Sequence, residues 1–63
     1  MVSEKLIYQT ATVLIDRHGA KAAKEAKRLV IRALEQGEKD RALLMLRVHA
    51  AVTLLQAPPS TAF

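Results

Sequence analysis

The chain has 63 residues, no cysteine, two histidines and a formal net charge of +4. A chain this short forms one domain at most and buries only about 60% of the surface that its unfolded form exposes. The composition excludes disulfide bonds and argues against a structural zinc site, so helix packing or association must supply the stability.

The first predicted helix runs from about Glu4 to His18. Ser3 is a typical N-cap residue, and Glu4 in the first turn complements the helix dipole. Val2 and Ile7 occupy the two positions of a hydrophobic staple. Gly19 is expected to end the helix as a left-handed C-cap. Its apolar face is predicted to comprise Ile7, Ala11, Leu14, Ile15 and His18, with Leu6 and Val13 as a smaller apolar flank.

The second predicted helix runs from about Ala20 to Gln36 and ends at Gly37 for the same reason as the first. No Ser, Thr, Asp or Asn precedes it, so its start has no local cap. One face is mostly small and apolar, which favours close approach of a neighbouring helix. It comprises Ala22, Ala26, Leu29, Val30 and Ala33, with Ala23 and Leu34 beside it.

The third predicted helix begins in the turn 37–40, with acidic residues near its N-terminus as the dipole prefers. It ends near Ala57, because Pro58 biases the preceding residue away from helical geometry. We expect residues 1–57 to form one all-α domain, a three-helix antiparallel bundle, and residues 58–63 to form a flexible tail.

Helix three is apolar on most of its circumference, which two partner helices could hardly cover. One apolar stripe, predicted to face the chain's own core, comprises Leu44, Val48, Ala51 and Leu55, with Val52 beside it. A second stripe lies roughly 100° away on the helix. Arg47 lies at its margin, and arginine is enriched at protein interfaces. The predicted partner interface therefore comprises Leu43, Leu46, Arg47, Ala50 and Leu54. A two-fold pair of third helices is its simplest form.

The other face of helix two is basic. It includes Lys21, Lys24, Lys27, Arg28 and Arg32. Such a face could follow a phosphate backbone or meet an acidic protein partner, although a solvated outer face explains it more simply. A helix-turn-helix is disfavoured, because the apolar third helix would have to present polar side chains to base edges.

Enzyme chemistry is not predicted. We find no acid pair, nucleophile with a base at catalytic spacing, glycine-rich phosphate loop or metal motif, and we expect no cofactor. His18 is expected to bond the free carbonyls at the end of helix one, and His49 to lie at the surface. No apolar run is long enough to span a membrane and no secretory signal is recognisable at the N-terminus, so we expect a cytoplasmic protein without a membrane partner.

One pattern resembles a known group. The segment Asp16-Arg17-His18-Gly19, with Leu14 before it, Ala22 after it and a second glycine turn at Gly37, resembles a group of short alphaproteobacterial helical proteins without an assigned function. The chain departs from that group's pattern at Glu38 and Leu46, where aspartate and an aromatic residue are common. The resemblance implies a bacterial origin. Two functions remain open. One is a small protein–protein interaction module, an adaptor or regulatory subunit, that is homo-oligomeric through helix three or bound to another protein. The other is a basic nucleic-acid-associated protein that uses the Lys/Arg face of helix two.

Overall fold

The computed structural model describes residues 3–57 and is helical through nearly all of them. It contains α1 (Glu4–His18), a short 3-10 helix (Gly19–Lys21), α2 (Ala22–Glu35) and α3 (Lys39–Gln56), with no strand in that range. The predicted all-helical class is confirmed. The predicted staple residue Val2 and the predicted tail 58–63 lie outside the described residues.

The N-terminal cap of α1 forms as predicted. Ser3 is extended, with φ −85° and ψ 147°, and its side chain accepts a hydrogen bond from the Leu6 amide. The N–O distance is 3.2 Å. This bond satisfies one of the four amide groups that have no partner inside the first turn of a helix.

The junction between α1 and α2 differs from the prediction. Gly19 has the expected positive φ of 56°, but its ψ of −126° is not the left-handed helical conformation. The chain then makes a 3-10 turn, and α2 begins at Ala22, two residues after the predicted start. The turn takes the place of the missing side-chain cap at α2. His18 lies in the last turn of α1 as expected, but its side chain is exposed and makes no cap hydrogen bond within residues 3–57.

The turn between α2 and α3 is a Schellman motif. The Glu38 amide donates to the Ala33 carbonyl at 2.9 Å, and the Gly37 amide donates to the Leu34 carbonyl at 3.1 Å. Gly37 has φ 74°, a conformation that glycine adopts without steric cost. The predicted stop of α2 at Gly37 is therefore correct, and only three residues separate α2 from α3.

The C-terminal end of α3 also agrees with the sequence. Ala57 is extended, with φ −64° and ψ 140°, as a residue before proline prefers. Gln56 is the last helical residue, and its Nε2 atom donates a 2.8 Å hydrogen bond to the Gly19 carbonyl. The end of α3 is thereby bonded to the junction of α1 and α2.

The third helix lies at the centre of the packing. It contacts α2 along the helical hairpin and also contacts α1, whereas α1 and α2 contact each other less. The hydrophobic core cluster is built from all three helices. Its buried members are Ile7, Ala11, Leu14, Ala22, Ala26, Met45, Val48, Ala51 and Val52.

The buried face of α3 is rotated from the predicted stripe. Val48 and Ala51 are buried as expected, and Leu44 is partly buried. Leu55 was predicted to lie in the core, but 51% of its surface is exposed, and Ala42 and Met45 are buried in addition. The rotation follows from packing. Because α3 contacts both α1 and α2, the buried part of its circumference includes the side that faces each of them.

Two smaller assignments are also corrected. Leu34 was predicted beside the buried face of helix two, and it is exposed. His49 was predicted at the surface, and it is partly buried. The alanine face of α2 agrees with the prediction, since Ala22, Ala26 and Ala33 are all buried.

Candidate interaction surfaces

The predicted interface of α3 lies on the side of the helix that faces away from the core. We call Leu43, Leu46, Ala50 and Leu54 the outer stripe. Leu43, Leu46 and Leu54 are 59%, 53% and 68% exposed, and Ala50 is exposed as well. At about 100° per residue, Leu46 and Leu54 lie nearly opposite Val48 and Val52, which are fully buried. Packing within the described chain leaves the outer stripe uncovered.

The outer stripe has charged side chains at its margins. Asp40 and Arg47 lie seven residues apart and therefore on the same edge of the stripe, while Lys39 lies in line with it at the start of the helix. All three are exposed. Neither Asp40 nor Arg47 forms an ion pair within residues 3–57, where the two ion pairs are Arg28–Glu25 and Arg41–Glu38.

The polar residues next to the outer stripe are partly satisfied by their own helix. Thr53 donates its hydroxyl hydrogen to the His49 carbonyl at 3.0 Å. A hydroxyl group that already has a hydrogen-bond partner in the protein costs less free energy to desolvate when a neighbouring surface excludes water. The edge formed by Thr53 is therefore compatible with a dry contact.

The predicted basic face of α2 is exposed along its length. Its members are Lys21, Lys24, Lys27, Arg28 and Arg32. Within residues 3–57, Arg28 is the one member that forms an ion pair, with a nitrogen–oxygen distance of 3.9 Å to Glu25. The face is not uniformly polar, because Ile31 lies among these cations and is 49% exposed. The sequence pattern contained this feature, since Ile31 follows Lys27 by four residues and Arg28 by three.

A third exposed apolar area lies on α1. Leu6 and Val13, predicted as a smaller apolar flank, are both exposed, and so is Tyr8 at the edge of the buried face. Leu6 and Val13 lie seven residues apart, so they share one side of the helix. These side chains are fewer and more widely spaced than those of the outer stripe.

Within the described part of the chain, no group of three or more His, Cys, Asp or Glu side chains could hold a metal ion. None of the described helices is long and apolar enough to cross a membrane. His18, Lys21, Lys24 and Arg28 line one open depression along α2, but the depression is lined by little besides that single helix. The two surfaces that the sequence singled out thus lie on α3 and α2.

Comparisons with protein-family models, with curated proteins and with solved structures find no match to this chain. The resemblance to short alphaproteobacterial proteins stays a prediction from the residues quoted above.

Proposed function

We propose that this protein is a non-enzymatic interaction module that associates through the outer stripe of α3. In this proposal the three helices form an antiparallel bundle that a second subunit completes, and the simplest assembly is a homodimer in a bacterial cytoplasm. The observation that carries the proposal is the exposure of Leu43, Leu46 and Leu54 on one side of a helix whose opposite side is the core.

The energetic argument concerns those three leucines. Removing a leucine side chain from water contributes about 1.5–3 kcal/mol. A domain of this size rarely has more than about 3–5 kcal/mol of stability from its own core. Covering the outer stripe therefore contributes an amount comparable with the stability of the isolated chain. Contiguous exposed apolar patches of this kind are typical of interaction surfaces.

The test is the dependence of mass and melting temperature on protein concentration. We expect light scattering after gel filtration to give more than one chain per particle, and the melting temperature to rise with concentration. Leu46→Asp and Leu54→Asp should each reduce the association while the helical circular dichroism signal remains. Leu6→Asp is the matched control, because it makes the same change at an exposed leucine of α1.

Two results would count against the homo-oligomer. One is a wild-type monomer whose melting temperature does not depend on concentration. The other is a Leu6→Asp control that reduces association as much as Leu46→Asp does, which would mean that general surface polarity and not the outer stripe controls association. A monomeric wild type would leave a different protein as the partner, and the same stripe variants would then be compared for binding to it.

The alternative function is association with nucleic acid through the basic face of α2. The observation that favours it is the exposure of all five cations, among which the described part of the chain forms a single long ion pair. Three of them, Lys24, Arg28 and Arg32, lie within about 80° of one another on α2, and Lys21 is the last residue of the 3-10 turn before it. A continuous row of this kind can neutralise phosphates, whose contacts weaken as salt concentration rises.

A further inference from the structure

We propose that two copies of α3 pair antiparallel in one register, in which Arg47 of each copy binds Asp40 of the other. This inference rests on the proposed function, because it assigns the partner and the orientation at the outer stripe. Its starting point is that Asp40 and Arg47 carry opposite charges, share one edge of the stripe and form no ion pair within residues 3–57.

The position of the two charges follows from helix geometry. Seven residues correspond to nearly two full turns, so Asp40 and Arg47 point in almost the same direction and lie about 10 Å apart along the axis. The edge of the outer stripe therefore has a negative end and a positive centre. A second copy of this edge is complementary to the first only when it runs in the opposite direction.

The register is set by both the leucines and the charges. A two-fold axis between residues 44 and 45 places Leu43 of each copy opposite Leu46 of the other copy, so the contact contains two equivalent leucine pairs. The same axis places Arg47 about 3 Å along the helix axis from Asp40 of the second copy, which is within reach of a guanidinium. It also brings Lys39 opposite Ala50, where the lysine stem can cover the alanine while its ammonium stays in water.

Two other arrangements leave the charges of Asp40 and Arg47 unpaired. A parallel pair places the Asp40–Arg47 edges of the two copies on opposite sides of the contact, so neither charge meets its counterpart. An antiparallel pair centred between residues 48 and 49 covers Leu43 with Leu54, but it places Arg47 opposite Ala50 with no carboxylate. Neither Asp40 nor Arg47 then gains an oppositely charged partner from the second copy.

The expected association is weak. In this register the two α3 helices face each other from Lys39 to Ala50, a span of eleven residues or about 16 Å. Leu54 lies beyond the start of the second α3, so Leu54→Asp should weaken association less than Leu46→Asp. A contact of this length buries less than the roughly 800 Å² per partner of a standard interface. Sedimentation equilibrium over a wide range of protein concentrations is therefore the appropriate measurement for the dissociation constant.

The experiment is a charge exchange across the contact. Asp40→Arg alone and Arg47→Asp alone should each raise the dissociation constant about tenfold, because each places like charges together at two symmetric positions. The double variant should return the dissociation constant to within about threefold of the wild-type value. Opposite charges then face each other again, with the positions of the acid and the base exchanged. Asp16→Arg and Lys24→Asp are the controls, because they make the same net-charge changes at exposed positions away from the stripe.

Single cysteines provide a second measurement, since the chain has none of its own. A mixture of Lys39→Cys and Ala50→Cys chains should form the mixed disulfide dimer on mild oxidation, and Lys39→Cys alone should not, because antiparallel packing separates its two copies by about 16 Å. Efficient self-crosslinking of Lys39→Cys would overturn the antiparallel orientation.

The outcomes separate this register from the proposed function. If Leu46→Asp abolishes association while the double charge variant shows no recovery, the outer stripe is the interface and the register is wrong. If the wild type remains monomeric at every concentration, the pairing of two copies is wrong irrespective of the charges. If the double variant recovers the wild-type dissociation constant and the mixed disulfide forms, the results support both the proposed function and this register.

Discussion

Gln56 Nε2 lies 2.8 Å from the carbonyl oxygen of Gly19, although 37 residues separate the two in sequence. Gly19 ends α1, and Gln56 is the last residue of α3. The same carbonyl accepts the Ala22 amide in the 3-10 turn. One amide side chain thus links the C-terminal end of α3 to the point where the chain turns from α1 into α2.

Gln56→Ala should lower the free energy of unfolding by about 0.5–1 kcal/mol, the lower part of the range for a single hydrogen bond, because this bond is exposed. Gln9→Ala is the matched control, since Gln9 is an exposed helical glutamine. Urea denaturation followed by circular dichroism measures both. Equal stabilities for the two variants would show that the bond contributes nothing.

Substitution by asparagine should change the free energy of unfolding differently at Gly37 and at Gly19. Gly37 has φ 74° within a Schellman motif, a left-handed position that asparagine tolerates. Gly19 has φ 56° and ψ −126°, close to the first central position of a type II′ turn, which glycine dominates. A Cβ atom would meet no neighbour within 4 Å at either site, so any cost comes from the backbone alone.

We therefore expect Gly37→Ala to cost about 1 kcal/mol and Gly37→Asn to cost less. Gly19→Ala and Gly19→Asn should cost similar amounts, each about 1–2 kcal/mol. Equilibrium unfolding of the four variants gives the comparison. A Gly19→Asn variant as stable as Gly37→Asn would contradict the conformational difference between the two turns.

Val48→Asp and Leu55→Asp should have opposite outcomes, although the sequence placed both residues on one core stripe. Val48 is fully buried, so an aspartate there is an unpaired charge in the core and should abolish the folded state. Leu55 is half exposed, and its variant should keep its helical circular dichroism spectrum. Leu44 is partly buried, so Leu44→Asp should fall between the two. Loss of helicity in Leu55→Asp comparable with that of Val48→Asp would contradict the rotated core.

Changing Lys24, Arg28 and Arg32 together to Glu tests the basic face of α2. If the protein binds a fluorescent DNA duplex, wild-type affinity should fall steeply as salt rises, and the triple variant should lose the binding. Anisotropy titrations at several salt concentrations measure this. Wild-type binding that the triple variant retains would exclude this face, and association through the outer stripe should be unchanged by these substitutions.

The helix boundaries are the part of the fold that local sequence determines most strongly. Ser3, Gly19, Gly37 and Pro58 act on the backbone within one turn of themselves, through a cap hydrogen bond, a positive φ or steric exclusion of helical geometry. The bounds of α1 agree with the prediction for that reason. The exposed outer stripe was also predictable, because one helix carried more apolar surface than two neighbours could cover.

The direction in which each helix faces was decided only by the tertiary structure. Leu55 and Met45 are equally apolar in sequence, yet Met45 is buried and Leu55 is exposed, because the crossing of α3 with both α1 and α2 sets the buried arc. The bond from Gln56 to Gly19 likewise depends on where two distant ends of the chain meet. Periodicity along a helix defines its faces, but only contacts between elements far apart in sequence select the face that is buried.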